Sequence, residues 1–329
     1  MRIDWHVPIP ADDGLVLRAD VYRPDGPGRF PAIVSYGPYA KGLSFQEGYA
    51  PQWEKMVAEH PDVAAGSSTR YQCWEVADPE KWVPHGYACV RVDSRGAGWS
   101  PGFIDVWSRR EARDLAGCIE WAAAQPWCSG KVGLSGISYY AMNQWHVAAL
   151  RPPHLAAMIP WEGAADHYRD VTHHGGIRCD FAANWYERQV RTVQYGLGTR
   201  SAVNPNTGEH VAGPEDLDDE QLLRNRADLS AEIAERPLDG SYYRERSGTG
   251  SASPYLSCRP PTGAARACIR EATSRRSRRP PLPRNGWRSM AGSTGPTITP
   301  ATVSTCSGGS SIISCAGSTT AGTAPPRSG

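Results

Sequence analysis

KVGLSGISYYAMNQWHVAAL, residues 131–150, is the stretch that decides the fold. It opens with a short apolar strand, Lys131 to Leu134, passes a Gly/Ser turn, and continues as a helix from Tyr139 to Leu150. A serine on a sharp strand-to-helix turn projects its hydroxyl above the sheet edge. The N–H groups that open the helix then face the negative charge developing on an attacked carbonyl. Ser138 holds that place, and the backbone N–H of Tyr139 is the donor beside it. The pattern G-x-S-x-G is met at Gly136 and Ser138 and broken at Tyr140, with the small Ala141 one place later. Gly-rich turns carry serine for purely structural reasons too, so the pattern alone leaves both readings open. Ser135 reads as the end of the strand.

Working outward, the same alternation repeats. Ile3 to Pro10 and Leu15 to Tyr22 are β-rich and flank Asp12-Asp13-Gly14, a hairpin turn. Phe30 to Tyr36, Tyr87 to Asp93 and Leu155 to Trp161 are short apolar runs that suit buried strands. Arg109 to Ala124 sets Leu115, Cys118, Ile119 and Ala122 on one helical face. Strands alternating with helices predict an α/β fold with a mostly parallel sheet covered on both sides. Residues 1–161 are expected to form this core. Residues 162–246 carry many charges and aromatics and no clear strand, which predicts a helical insertion. Its clearest helix is expected over Leu217 to Glu235, from Leu222, Leu229 and Ile233.

Lys plus Arg is 35 and Asp plus Glu is 34 in 329 residues, a net charge of +1. Such a balance gives no general attraction to nucleic acid or an anionic membrane. No apolar run is long enough to span a bilayer, and the start, MRIDWHVPIPADDG, has no apolar leader, so a cytoplasmic location is expected. The nine cysteines show no metal-binding spacing and read as free thiols. No metal or other cofactor is implied.

The elbow and three further segments resemble the cocaine esterase/X-Pro dipeptidyl-peptidase group of α/β-hydrolases, the CocE/NonD hydrolases. Gly136, Ser138, Tyr139 and Ala141 match that family's elbow, G-x-S-Y with a small residue one place late. Ser35 to Lys41 (SYGPYAK) resembles its strand-end P-Y-x-K, and Val92 to Ser100 (VDSRGAGWS) its D-x-R-G-x-G-x-S loop. Glu120-Trp121 through Gln125-Pro126-Trp127, then Gly130 to Gly133, resembles its lead into the elbow. The resemblance covers about residues 5–246. It implies an α/β-hydrolase fold with a helical cap over 162–246, and a small-molecule ester, amide or peptide as substrate. Ser138 would attack the carbonyl and form an acyl-enzyme. The Tyr139 N–H and, by resemblance, the Tyr39 hydroxyl would hold the oxyanion. Asp93 and Arg95 read as a structural ion pair or loop anchor. Trp161, Trp185 and Tyr186 suit an apolar acyl pocket and equally the core of a cap.

A serine hydrolase also needs a base, and an acid to orient it. The histidines after Ser138 are His146, His154, His167, His173, His174 and His210. His146 lies too far along the elbow helix; His173-His174-Gly175-Gly176, and His167 with Asp166, could line a pocket, but each of these histidines reads more simply as an ordinary polar residue. None follows His210, where the resemblance puts the base. From Ser247 onward the chain holds one Glu and no Asp, Lys, His, Phe or Gln, with ten Arg among Ser, Thr, Gly, Pro and Ala. Such a composition predicts a disordered, low-complexity tail over 247–329, without the rest of the core or the family's β-sandwich domain. Shifting the frame by one base permits Glu-Val-His-Gly-Gly-Glu-His-Trp over Arg288 to Gly295, and amphipathic or hydrolase-like sequence over Thr302 to Cys315 and Tyr255 to Ile269. The tail therefore reads as out of frame, with acid and base lost. The competing expectations are a serine hydrolase and a catalytically defective product or binding scaffold. A nucleic-acid binder using Arg275-Arg276-Ser277-Arg278-Arg279 is a third class, which the frame argument makes accidental.

Overall fold

The first two strands, β1 (Arg2–Pro10) and β2 (Val16–Arg23), form the hairpin expected around Asp12-Asp13-Gly14, with Ile3 opposite Tyr22 and Ile9 opposite Leu17. Then come β3 (Phe30–Gly37), β4 (Ala88–Asp93), β5 (Cys128–Ile137) and β6 (Leu155–Trp161), all parallel to their neighbours among these four. The computed structural model describes residues 1–248. The six strands make one sheet in the order β1-β2-β4-β3-β5-β6, with β2 joining β4 antiparallel.

Period-two alternation sorts the side chains onto two faces. Val34, Val90 and Leu134 pack with Leu115 and Ile119 of the helix Arg109–Ala124 and with Val147 of the helix Tyr139–Leu150. Their neighbours Ile33 and Cys89 turn to the other face, with Tyr22, against Trp82 and Val83. Each fully buried side chain of this size stabilises the fold by about 1.5–3 kcal/mol. The helix Arg109–Ala124 starts where the Ser108 hydroxyl accepts from the Glu111 N–H, and ends at Gln125, whose successor Pro126 disfavours helical backbone. β3, β5 and β6 end together at Gly37, Ile137 and Trp161, the sheet edge where open α/β folds place their sites.

Two readings of the insertion are corrected. Leu217 to Glu235 is not one helix but two, Asp219–Arg224 and Leu229–Ala234. The break has a tertiary cause: Ile104 N–H donates to Asn225 O, and Ala227 N–H donates to Ile104 O, both at 2.9 Å, so the chain runs extended there. Asp228 then caps the second helix. Leu222, Leu229 and Ile233 are all buried, as their spacing implied. The segment also holds a two-residue hairpin, His173–His174 with Ile177–Arg178, too short for a period to show. Beyond Trp161 the described chain is otherwise short helical turns and loops. The readings of the tail, from Thr249 on, lie outside the described residues.

Candidate active site

Ser138 follows directly on β5 and precedes the helix Tyr139–Leu150, with φ 54° and ψ −112°. A non-glycine residue at positive φ costs roughly 1–3 kcal/mol and persists only where its surroundings impose it. Here β6 and the loop at Glu75 do so: Ser138 N–H donates to Trp161 O at 3.0 Å, and Ile137 N–H donates to Glu75 O at 3.1 Å. The half-buried Ser138 hydroxyl has no hydrogen-bond partner among the described residues and does not cap the helix. The turn needs its glycine, because a Cβ on Gly136 would lie 2.2 Å from Tyr140 Cβ. Tyr140, the departure from G-x-S-x-G, fits because its ring lies over Gly37, where a Cβ would come 2.7 Å from Cε1.

Tyr139 opens the elbow helix, and its N–H has no backbone acceptor among the described residues. Its hydroxyl donates to Glu111 in the helix Arg109–Ala124, and the same carboxylate oxygen accepts from Trp107 N–H at 2.7 Å. Burial pushes the Glu111 carboxyl up to about 8. Sequence reading missed Glu111, because Ser108-x-x-Glu111 looks like a capping box. The serine does cap, but the carboxylate goes to the elbow.

Tyr39 lies on the loop after β3 and is buried, its ring centroid 6.1 Å from that of Tyr139 and 5.6 Å from that of Tyr140. Its hydroxyl oxygen accepts from Trp185 Nε1–H at 3.0 Å. The structure therefore brings Tyr39, Tyr139 and Trp185 together beside Ser138's helix. Trp185 also stacks on Trp107, centroids 4.7 Å apart, and Tyr186 packs in the same cluster. Behind Tyr39, the Lys41 N–H donates to Asp93 Oδ1 at 2.5 Å and Lys41 Nζ pairs with Asp20 at 2.8 Å. Asp93 Oδ2 accepts from Trp99 N–H, so Asp93 ties its own loop to that of Tyr39. Arg95 forks onto Asp114 at 2.9 and 3.0 Å. Both residues anchor loops, and they do not pair with one another. Beside the elbow, burial and then Glu162 push the Glu75 carboxyl well above its usual range.

No histidine hydrogen-bonds Ser138 among the described residues. His146 is driven down to about 4 and His167 to about 3, each first by burial. His167 packs against Trp107, centroids 4.9 Å apart, with both ring nitrogens unpartnered, while Asp166 pairs with Arg169. His173 stacks on Tyr168, and His154 pairs with Glu120. The five described cysteines are free thiols, and no group of three metal-binding side chains exists among the described residues.

Residues 13–250 match the family described as X-Pro dipeptidyl-peptidase (S15 family). The chain belongs to this family. Cocaine esterase of Rhodococcus sp. is 32% identical over 244 residues, covering 71% of this chain and 36% of that protein. The structure of a CocE/NonD family hydrolase from Staphylococcus aureus superposes with a TM-score of 0.57 at 33% identity, over 74% of this chain and 38% of the other. The α/β-hydrolase fold implied by the resemblance is thus shared with a solved hydrolase. The chain spans little more than a third of the length of these S15 relatives.

Within the S15 family core, two buried carboxyls set a pH dependence of stability. Burial raises Asp93 to about 7 and Glu111 to about 8, so both hold protons more tightly folded than unfolded. The stability they lend is complete below about pH 4 and is lost as pH rises through their folded values. The urea midpoint should fall between about pH 4 and about pH 8, and Glu111→Gln should flatten part of that fall. A midpoint that rises over this range contradicts the assignment.

Proposed function

We propose that this chain carries the nucleophile and oxyanion-binding half of a serine hydrolase acting on acyl ester or amide bonds, X-Pro peptides included. Ser138 Oγ attacks the carbonyl carbon as its proton passes to water, the Tyr139 N–H and Tyr39 O–H hold the resulting oxyanion, and the C–O or C–N bond then breaks, the leaving group taking the electron pair and a proton, to give the acyl-enzyme. Residues 1–161 act as the hydrolase core and 162–246 as its cap, in a cytoplasmic protein with a small-molecule substrate and no nucleic-acid or membrane partner. Among the described residues, no helix is long and apolar enough to cross a membrane. The observation that carries the reading is Ser138 itself: positive φ between β5 and a helix, with its hydroxyl unspent. Incubation with a p-nitrophenyl ester should place the acyl group on Ser138, read by peptide mass mapping, and Ser138→Ala should lose it. Acylation elsewhere that survives the substitution would sink the assignment.

The second reading is a catalytically defective member of the family. It is favoured by the absence of any histidine after His210 and, among the described residues, of any histidine bonded to Ser138. Under it, acylation of Ser138 is slow and the out-of-frame tail supplies neither acid nor base.

A further inference from the structure

Tyr39 and Trp185 meet in one hydrogen bond whose direction is fixed by chemistry. An indole N–H has a proton to give and no lone pair to receive with. In the 3.0 Å contact between Trp185 Nε1 and Tyr39 Oη, the phenol oxygen is therefore the acceptor. A phenol that accepts in one direction keeps its own O–H for another. Among the described residues that O–H finds no acceptor, although Tyr39 is only 4% and Trp185 only 6% exposed. Burying an unspent donor is unfavourable unless something arrives to accept from it.

We propose that Trp185 is a positioning residue: by occupying the acceptor side of the Tyr39 hydroxyl, it turns the O–H proton toward the oxygen of a carbonyl attacked by Ser138. The inference rests on Ser138 being the nucleophile. The indole is itself held. It stacks on Trp107 at 4.7 Å and on Tyr139 at 5.7 Å with an interplanar angle of 20°, and Trp107 is tied through its backbone N–H to Glu111. Burial keeps the Tyr39 phenol well above its ordinary titration range, so it stays a neutral donor. One cap tryptophan thus touches both residues that carry a candidate oxyanion donor, stacking on the ring of Tyr139 and donating to the hydroxyl of Tyr39.

Phenylboronic acid tests this on the full chain without needing turnover. Its boron takes a lone pair from Ser138 Oγ, a B–O bond forms, the serine proton passes to water, and the tetrahedral boronate carries the charge of an oxyanion. Tyr39→Phe should weaken the Kd about tenfold to a hundredfold, and Trp185→Phe, which keeps a stacked ring, about fivefold to tenfold. The double variant should be no weaker than Tyr39→Phe alone, because the indole acts only through the phenol. Additive losses, or no loss in Trp185→Phe, overturn the positioning role. No binding to the parent, or binding that survives Ser138→Ala, overturns the nucleophile reading and this one with it. Should Trp185→Phe fail to fold, the Trp185 indole N–H resonance in nitrogen-15-labelled protein decides. It should move upfield in Tyr39→Phe, and an unmoved resonance overturns the proposal.

Discussion

Shifting the reading frame by one base at about codon 248 should raise ester turnover by this protein at least roughly 10⁴-fold. Ser138 has its strained turn at the N-terminus of the elbow helix, and the buried Tyr39 ring packs against Tyr139 and Tyr140 of that helix, yet no histidine among the described residues bonds the serine hydroxyl. Without a base, the serine proton must leave to water, and a triad stripped of its histidine retains only the rate that oxyanion binding supplies. The shifted frame permits a histidine where Thr294 now stands, within Glu-Val-His-Gly-Gly-Glu-His-Trp. Two measurements check this: the nucleotide sequence around codon 247, and p-nitrophenyl ester turnover by the protein in both frames. Equal rates in the two frames, or fast turnover in the present chain that Ser138→Ala abolishes, would remove the argument.

Tyr39→Phe in the frame-shifted protein should lower kcat by about 10²–10³ with KM little changed. In the proposed role, the phenol O–H gains its strong acceptor only when the carbonyl oxygen becomes an anion, so its removal acts on the transition state and spares substrate binding. The substitution removes one oxygen from a buried aromatic cluster and keeps the ring contacts with Tyr139 and Tyr140. A change confined to KM would assign Tyr39 to substrate binding instead, and an unchanged kcat would take it out of the site.

The parts of the molecule legible in sequence are those governed by neighbours along the chain. Apolar runs such as Phe30 to Tyr36 must be buried wherever they lie, and Asp12-Asp13-Gly14 turns the chain by its own backbone preferences. Gly136 and Ser138 mark the elbow because the turn itself demands a glycine two places before the serine. The helix Arg109–Ala124 could be bounded for the same reason, by a cap at one end and a proline after the other.

Contacts between distant segments were decided only by the tertiary structure. The helix expected from Leu217 to Glu235 breaks because Ile104 pairs with the backbone at Asn225 and Ala227. Glu111 carries a capping signature, but its carboxylate is drawn to Tyr139 and Trp107 by the packing of two helices. Tyr140 is tolerated where a glycine was expected because Gly37, on another strand, leaves room for its ring. Trp185 and Tyr39 lie 146 positions apart. Spacing in a sequence encodes direction only within one helix or strand, whereas the aim of a hydroxyl proton depends on which distant donor the fold brings to its oxygen.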